Sequence, residues 1–292
     1  MSLAQNFARH GREHISASQI AKFVSSPAAW VETHLENQHR AVGLRAYEGK
    51  CIETALNLTF DKIDSESDVD NIDLQMLQHD VQVEAEKEFQ ATMVNLDSLI
   101  ENSQPLDLRR EKVPLDEMYS EKNRAASLER ICKKVEVGIP ACIELYKTHG
   151  GKPESQVEIY LTIPLDKKSE IRVLGYIDWL FPDGHVVDLK TTRNIPTALS
   201  MSHGFQAYVY MVSQQLDTME FLFIGDRKRE PVSSLFAYRD DKFRENVFIF
   251  QDAAQRLGKM LRLSKKTLTE ILPKNPESYY FNSPVITGLE RN

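Results

Sequence analysis

Residues 171–191, IRVLGYIDWLF-PDG-HVVDLKT, constrain the fold of this chain more than any other segment. Two runs rich in β-branched and aromatic residues flank Pro182-Asp183-Gly184, so the segment reads as a β-hairpin. Proline suits the first αR position of a three-residue loop, aspartate the second, and glycine the αL position that closes the bulge. A loop of that length leaves one register. Phe181 faces His185, Leu180 faces Val186, and Asp178 falls opposite Asp188. Directly opposed residues share a face, with Cβ atoms about 4.5–5.5 Å apart. Lys190 lies two residues beyond Asp188 and points to that face as well.

Two opposed carboxylates repel and destabilise a hairpin. A divalent cation between them removes the penalty, and hard oxygen ligands suit Mg²⁺ or Mn²⁺. An ammonium group beside such an ion could orient or help deprotonate an attacking water, or stabilise charge building on a phosphate. The alternative is a surface Asp–Lys–Asp cluster in which the lysine neutralises one carboxylate. The apolar strands on both sides argue that this face is not wholly solvated, and partly buried acids need a partner. Asp183, at the loop tip, is a turn residue rather than a ligand.

Around the hairpin the chain alternates pattern. Ser16 or Ser18 is placed to cap a helix over 16–35 that Pro27 kinks or restarts. A second helix is expected over 45–60, an acidic loop over 61–77 and a polar helix over 78–102. A connection follows over 103–119, then a long helix over 120–148 ended by Gly150 and Gly151. Strands follow at 156–164, 171–181 and 185–191, a helix at 198–216, strands at 219–226 and 231–238, and a helix at 240–265. This order predicts an α/β fold: a mixed central β-sheet flanked by helices, with helical N-terminal additions. It reads as one domain over 1–292, with 61–150 as a helical insertion or lobe within it.

The net charge of −7 argues at first against a nucleic-acid partner. Residues 61–101 carry twelve acids against Lys62 and Lys87, which leaves the remaining chain at +3. An acidic lobe and a local basic groove can coexist. Cys51, Cys132 and Cys142 form no CxxC pair and no disulfide framework. No apolar run reaches the roughly 18 residues of a membrane span, and the N-terminus lacks an apolar signal core. A cytoplasmic protein without a membrane partner is the expectation.

The segments GYID (175–178), VVDLKTT (186–192) and FQAYVY (205–210) together resemble the PD-(D/E)XK nuclease superfamily, with a restriction-endonuclease-like core. The likeness is to its RecB-like branch, which includes phage recombination exonucleases. SASQIAKFVSSPAAW (16–30) resembles the entry helix of that branch, with Ser26 where many relatives have cysteine. GKCIETAL (49–56) resembles its Gly-x-x-x-His/Glu helix, with Glu53 where many have histidine.

The resemblance implies a Mg²⁺- or Mn²⁺-dependent deoxyribonuclease that processes DNA ends in recombination or repair. It implies Asp178, Asp188 and Lys190 as the catalytic set. It implies Glu53, Asp178, Asp188 and the Leu189 carbonyl as metal ligands, and Gln206 and Tyr210 on one helix face beside the site or DNA. Glu158 is an accessory candidate with a structural role as the alternative. Some relatives hold an iron–sulfur cluster through four cysteines; none is expected here, where no cysteine follows Cys142. A homo-oligomer or a recombination partner protein is also compatible. Two other readings stay open: an endonuclease of the same superfamily, and a non-cutting DNA-binding or assembly module on the same fold.

Weaker candidates for a DNA path are Arg256, Lys259, Arg262 and Lys266 along the last long helix, Arg227, Lys228 and Arg229 between two strands, and Tyr279, Tyr280 and Phe281 as base-stacking groups. His203 could approach DNA from beside Gln206, but a structural role is the better expectation. His185 points away from the Asp188 face and receives no role.

Overall fold

A computed structural model of the chain describes residues 10–11, 14–36, 39–40, 43–65, 69–102, 115–166, 169–238, 243–272 and 285–286. The tail aromatics Tyr279, Tyr280 and Phe281 lie outside the described residues.

Ile15–Ser16 form β1, and the Ser16 side chain caps α1 (Ala17–Ser25) by accepting from the Gln19 amide at 3.3 Å. Pro27 opens α2 (Pro27–His34) at a first-turn position, where its missing N–H leaves no bond unmade. After the two-residue β2 (His39–Arg40) come α3 (Arg45–Ser65), α4 (Leu74–Asn102), the short α5 (Leu115–Met118) and α6 (Glu121–His149). Gly150 ends α6 in the left-handed conformation at φ 78°. The sheet strands are β3 (Glu154–Asp166), β4 (Ser169–Leu180) and β5 (Val186–Asn194), then β6 (Met219–Arg227) and β7 (Glu230–Tyr238) after α7 (Met201–Gln214). Helices α8 (Phe243–Met260) and α9 (Lys265–Ile271) precede β8 (Val285–Ile286), which pairs with β2.

Two expectations fail. The acidic stretch 61–77 is not one loop: α3 runs on to Ser65 and α4 begins at Leu74. Phe60 and Ile63 are buried in the core, and Asp73 Oδ1 starts α4 by accepting from the Gln75 and Met76 amides. Asp61 and Asp64 are exposed and mark the solvated side of a helix. The last long helix also breaks, between Met260 and Lys265, because Ser264 caps a new helix by accepting from the Thr267 amide.

The main sheet is mixed, ordered β1-β4-β5-β6-β7, with β3 added on β4. The β5–β6 and β1–β4 pairs are parallel; the other pairs are antiparallel. One core joins β3, β4 and parts of β5 and β6 to α1, α2, α7 and α8, through Ile20, Trp30, Phe205, Phe221, Phe223 and Phe250 among others. The other core joins α3, α4 and α6 to the opposite side, through Phe60, Phe89, Ile131, Trp179, Val187 and Leu222.

The two cores expose a departure from strand alternation. Ile177 belongs to the first core and Trp179 to the second, although residues two apart in a strand share a face. The β3–β4 ribbon therefore turns over between them. Gln156, whose register partner would be Asp178, marks the same place with φ 56°. Asp178 stands at the turnover, within reach of both sides of the sheet.

Candidate active site

The turn at 182–184 closes as its residues dictate. Gly184 takes φ 86°, the Gly184 amide donates to Phe181 O and the Phe181 amide to His185 O, both at 2.9 Å. The β4–β5 ladder holds only Trp179↔Val187 and Leu180↔Val186, and the same register carried one step further sets Asp178 against Asp188. There the backbone pairing stops. The Leu189 amide donates instead to Asp178 Oδ2 at 2.8 Å, so a side chain replaces a strand as its acceptor. The two strands fork at the pair of acids.

Helix α3 brings in Glu53 by a stripe spaced four residues apart. Gly49 meets β5, where an added Cβ would lie 2.9 Å from Thr191 Oγ1. Asn57 accepts from Trp179 Nε1 at 2.6 Å and from Ser155 Oγ at 3.3 Å. Glu53 sits between these anchors, its carboxylate accepting from Gln156 Nε2, which also donates to Asp178 Oδ1 at 3.0 Å. From α7, Gln206 Nε2 donates to Asp188 Oδ1 at 2.6 Å and to the Tyr210 hydroxyl at 2.7 Å. The Tyr210 hydroxyl donates on to Tyr176 O. The Lys190 ammonium pairs with Asp188 Oδ2.

Gly175 has a steric reason in this arrangement. A Cβ there would lie 2.9 Å from the Tyr210 ring and 3.2 Å from Ile159. Gly175→Val is expected to push Tyr210 off Tyr176 and Gln206, at about 1–3 kcal/mol of stability, with a loss of activity larger than the fraction unfolded accounts for. Urea melts and rate measurements on the folded fraction check this.

The electrostatics are those of acids held together at a cost. Asp188 is fully buried, and burial, together with Asp178 and Glu53, raises its pKa to about 7 despite Lys190. Burial and the neighbouring Asp178 raise Glu53 to about 7. Burial also raises Asp178. Burial and the two aspartates hold the Tyr210 hydroxyl far above its ordinary range, so it remains a neutral donor. Asp188 Oδ2 is buried and makes no hydrogen bond of good geometry, with the Lys190 charge beside it.

These features fit a divalent cation. Three carboxylates repel, one buried oxygen lacks a hydrogen bond, and one amide bridges two of the acids as a weak substitute for positive charge. An ion between the acids would take the place of the Gln156 amide that bridges Glu53 and Asp178.

Glu53, Asp178, Asp188, Lys190, Gln206 and Tyr210 thus come together from α3, β4, β5 and α7. Glu158 does not join them: its exposed carboxylate accepts from Tyr160 at 2.5 Å and Tyr176 at 2.9 Å. His203 belongs to a helix cap. Its Nδ1 accepts from the Ser200 amide at 3.0 Å, and burial next to Lys190 lowers its pKa to about 4. Gln156 is the residue sequence reasoning missed. The basic row 256–266 is not one stripe, because the break before Ser264 divides it. Arg256 pairs with Asp252 at 2.7 Å and Lys266 with Glu270 at 3.9 Å, each within its own helix.

No sequence family matches the chain, and no curated protein does. Among solved structures it is similar to SSO0001, at 16% identity over 47% of this chain and 66% of that one, with a TM-score of 0.30. It is also similar to Candida albicans Rai1 in complex with pU5 and Mn²⁺, at 11% identity over 74% and 61%, with a TM-score of 0.27. Scheffersomyces stipitis Rai1 gives 9% over 88% and 76%, with a TM-score of 0.29. The chain spans less than two thirds of the first two. Similarity at these scores carries no functional argument, which rests on the residues above. Among the described residues no helix is long and apolar enough to cross a membrane.

Proposed function

We propose that this chain is a metal-dependent nuclease that hydrolyses phosphodiester bonds in DNA, acting at ends in recombination or repair. The observation that carries the reading is the convergence of Glu53, Asp178, Asp188 and Lys190 at the fork between β4 and β5. The likeness of its GYID, VVDLKTT and FQAYVY segments to the RecB-like branch of the PD-(D/E)XK superfamily supports it.

Glu53, Asp178, Asp188 and the Leu189 carbonyl are the groups that would hold Mg²⁺ or Mn²⁺. The bound ion would supply Lewis acidity for water activation and neutralise the scissile phosphate. Gln206 and Tyr210 keep Asp188 aimed through one chain of hydrogen bonds. Lys190, one quarter exposed against a fully buried Asp188, extends from the acids toward solvent and the incoming phosphate. Arg227, Lys228 and Arg229 are exposed at the β6–β7 turn, Lys228 and Arg229 both at positive φ, and offer cations to a phosphate backbone.

The test is digestion of end-labelled linear DNA and covalently closed circular DNA, each with Mg²⁺ and with chelator. Linear DNA is expected to shorten from its ends only with the metal, while circular DNA survives. Cutting of both forms would make the chain an endonuclease; no cutting with Mg²⁺ or Mn²⁺ would overturn the reading.

The acids also set a pH dependence. Glu53 and Asp188 ordinarily titrate at 4.5 and 3.8, and each is raised to about 7 in the fold. The folded metal-free protein therefore binds protons more tightly than the unfolded chain. The stability this gives is complete below about pH 4 and is lost as pH rises through 7. His203, lowered to about 4 from 6.5, runs the opposite way between those values but is one group against two. In chelator, stability is expected to fall by on the order of 2 kcal/mol from pH 5 to 7.5, and saturating Mg²⁺ should remove most of the fall. Urea melts across that range decide it; a flat profile in chelator would contradict the assignment.

A further inference from the structure

We propose that His149, His185 and Glu220 form a second cation site, suited to Zn²⁺ or a similar transition metal, at the hairpin end of the sheet and on the opposite face from Asp188.

The three residues come from separate elements. His149 is the last residue of α6, His185 lies between the turn and β5, and Glu220 is the second residue of β6. Each offers one ligand atom, and these atoms all lie within 4.8 Å of one another. His185 Nε2 is 3.0 Å from Glu220 Oε2. The two imidazoles stack at 4.2 Å with 4° between their planes, so one ring must turn out of the stack for both in-plane lone pairs to meet one ion. All three side chains are half-buried.

Asp183 supplies the orienting partner. Its Oδ1 accepts from the His185 amide at 2.9 Å, which fixes the carboxylate to the turn. Its Oδ2 lies 2.8 Å from His149 Nδ1. That contact engages Nδ1 and leaves Nε2 as the ligand atom, in the carboxylate–histidine–metal pattern that sets tautomer and ring direction. Two imidazoles and one carboxylate suit Zn²⁺ and disfavour Mg²⁺, which prefers oxygen ligands. Tetrahedral ligands at about 2.0–2.1 Å from the ion stand roughly 3.3 Å apart, so the three ligand atoms, now within 4.8 Å of one another, must close in as one imidazole leaves the stack.

Glu220 is the register partner of Val187, and Val187 belongs to the core of α3, α4 and α6. The site therefore faces the helical lobe, whereas Asp188, one residue on, points to α7. A cation here would tie the end of α6, the hairpin turn and β6 together. The proposal uses no residue of the acidic site and does not depend on nuclease activity.

The plain competitor is a pair of ion pairs, His149 with Asp183 and His185 with Glu220. Titration with Co²⁺ and Zn²⁺ separates the two. Two chelator-stripped proteins are used: an Asp178→Asn/Asp188→Asn variant with the acidic site disabled, and the unaltered chain in excess Mg²⁺. One equivalent of Co²⁺ is expected to give a visible ligand-field band that Zn²⁺ abolishes and Mg²⁺ does not. Zn²⁺ at a hundredfold excess over Kd should raise Tm by roughly 5 °C. Glu220→Gln, which keeps shape and a hydrogen bond to His185, and His149→Gln should each weaken binding at least tenfold. Asp183→Asn should weaken it by about 10–100-fold. Absence of the band in both proteins, or affinity unchanged in Glu220→Gln, would overturn the site and leave the ion pairs.

Discussion

Lys190→Ala is expected to lower Mg²⁺-dependent cleavage of DNA by roughly 10³-fold while leaving the fold and most DNA binding in place. The size follows from what the ammonium does. Its counter-ion Asp188 is buried to 0% exposure and the lysine side chain is only one quarter exposed, so the charge is screened less than a free surface cation. A charge placed there before the reaction needs no reorganisation as the phosphate gains charge. The fold should survive because Asp188, already raised to about 7, can take up a proton when its cation is gone. Lys190→Arg should not restore the rate, since a planar fork does not replace a compact ammonium beside one carboxylate oxygen. Single-turnover rates, thermal melts and fluorescence anisotropy with labelled DNA measure the three parts separately. Unchanged cleavage in Lys190→Ala would remove the lysine from the mechanism.

The largest expected loss of stability comes from Glu48→Ala. Glu48 is 1% exposed, and its Oε1 accepts from Arg130 Nε at 3.0 Å and Nη2 at 2.5 Å. Lys134, 4% exposed, lies 4.0 Å from the other oxygen and donates to Thr192 O at 3.0 Å. One carboxylate therefore holds two cations and, through Lys134, the far end of β5. Removing it leaves those cations half or wholly out of water without a counter-charge, at about 3–5 kcal/mol. At roughly 2–4 °C per kcal/mol, Tm should fall by about 6–20 °C. Glu48→Gln should fall less, because its amide oxygen keeps the Arg130 contact. A Glu48→Ala melt within 1 °C of the parent would show that the network contributes nothing net. Because Glu48 sits on the helix that delivers Glu53, the variant should also lose metal affinity at temperatures where it remains folded.

The hairpin and its register could be read from the chain because they are local. A three-residue loop with Pro, Asp and Gly in order permits one pairing, and Asp178 against Asp188 follows from counting. Gln206 and Tyr210 were legible through the likeness of FQAYVY to the RecB-like branch, and their four-residue spacing adds that they share one helix face. Gln156 was not. Its place opposite Asp178 depends on the length and shape of the β3–β4 turn and on a positive φ that no local pattern announces. The extension of α3 through an acidic stretch was hidden because its charges are the solvated face and Phe60 and Ile63 are the buried one. Composition averages the two faces and so suggests a loop. The end of α8 was hidden in a similar way: one serine, Ser264, outweighs a basic periodicity that looked continuous. His149 and His185 stand 36 positions apart, and only the packing of α6 on the hairpin makes them neighbours.

The turn at 182–184 works like a reading frame. A residue inserted into it would alter no acid, no lysine and no core side chain. The strands could still pair, but one step out of phase, and β5 would then offer Val187 or Leu189 to the fork where Asp188 had been. A chain so changed would be expected to express, fold and carry every residue of the site while having none of its chemistry. Inventories of site residues would score it as intact; only the spacing would betray it.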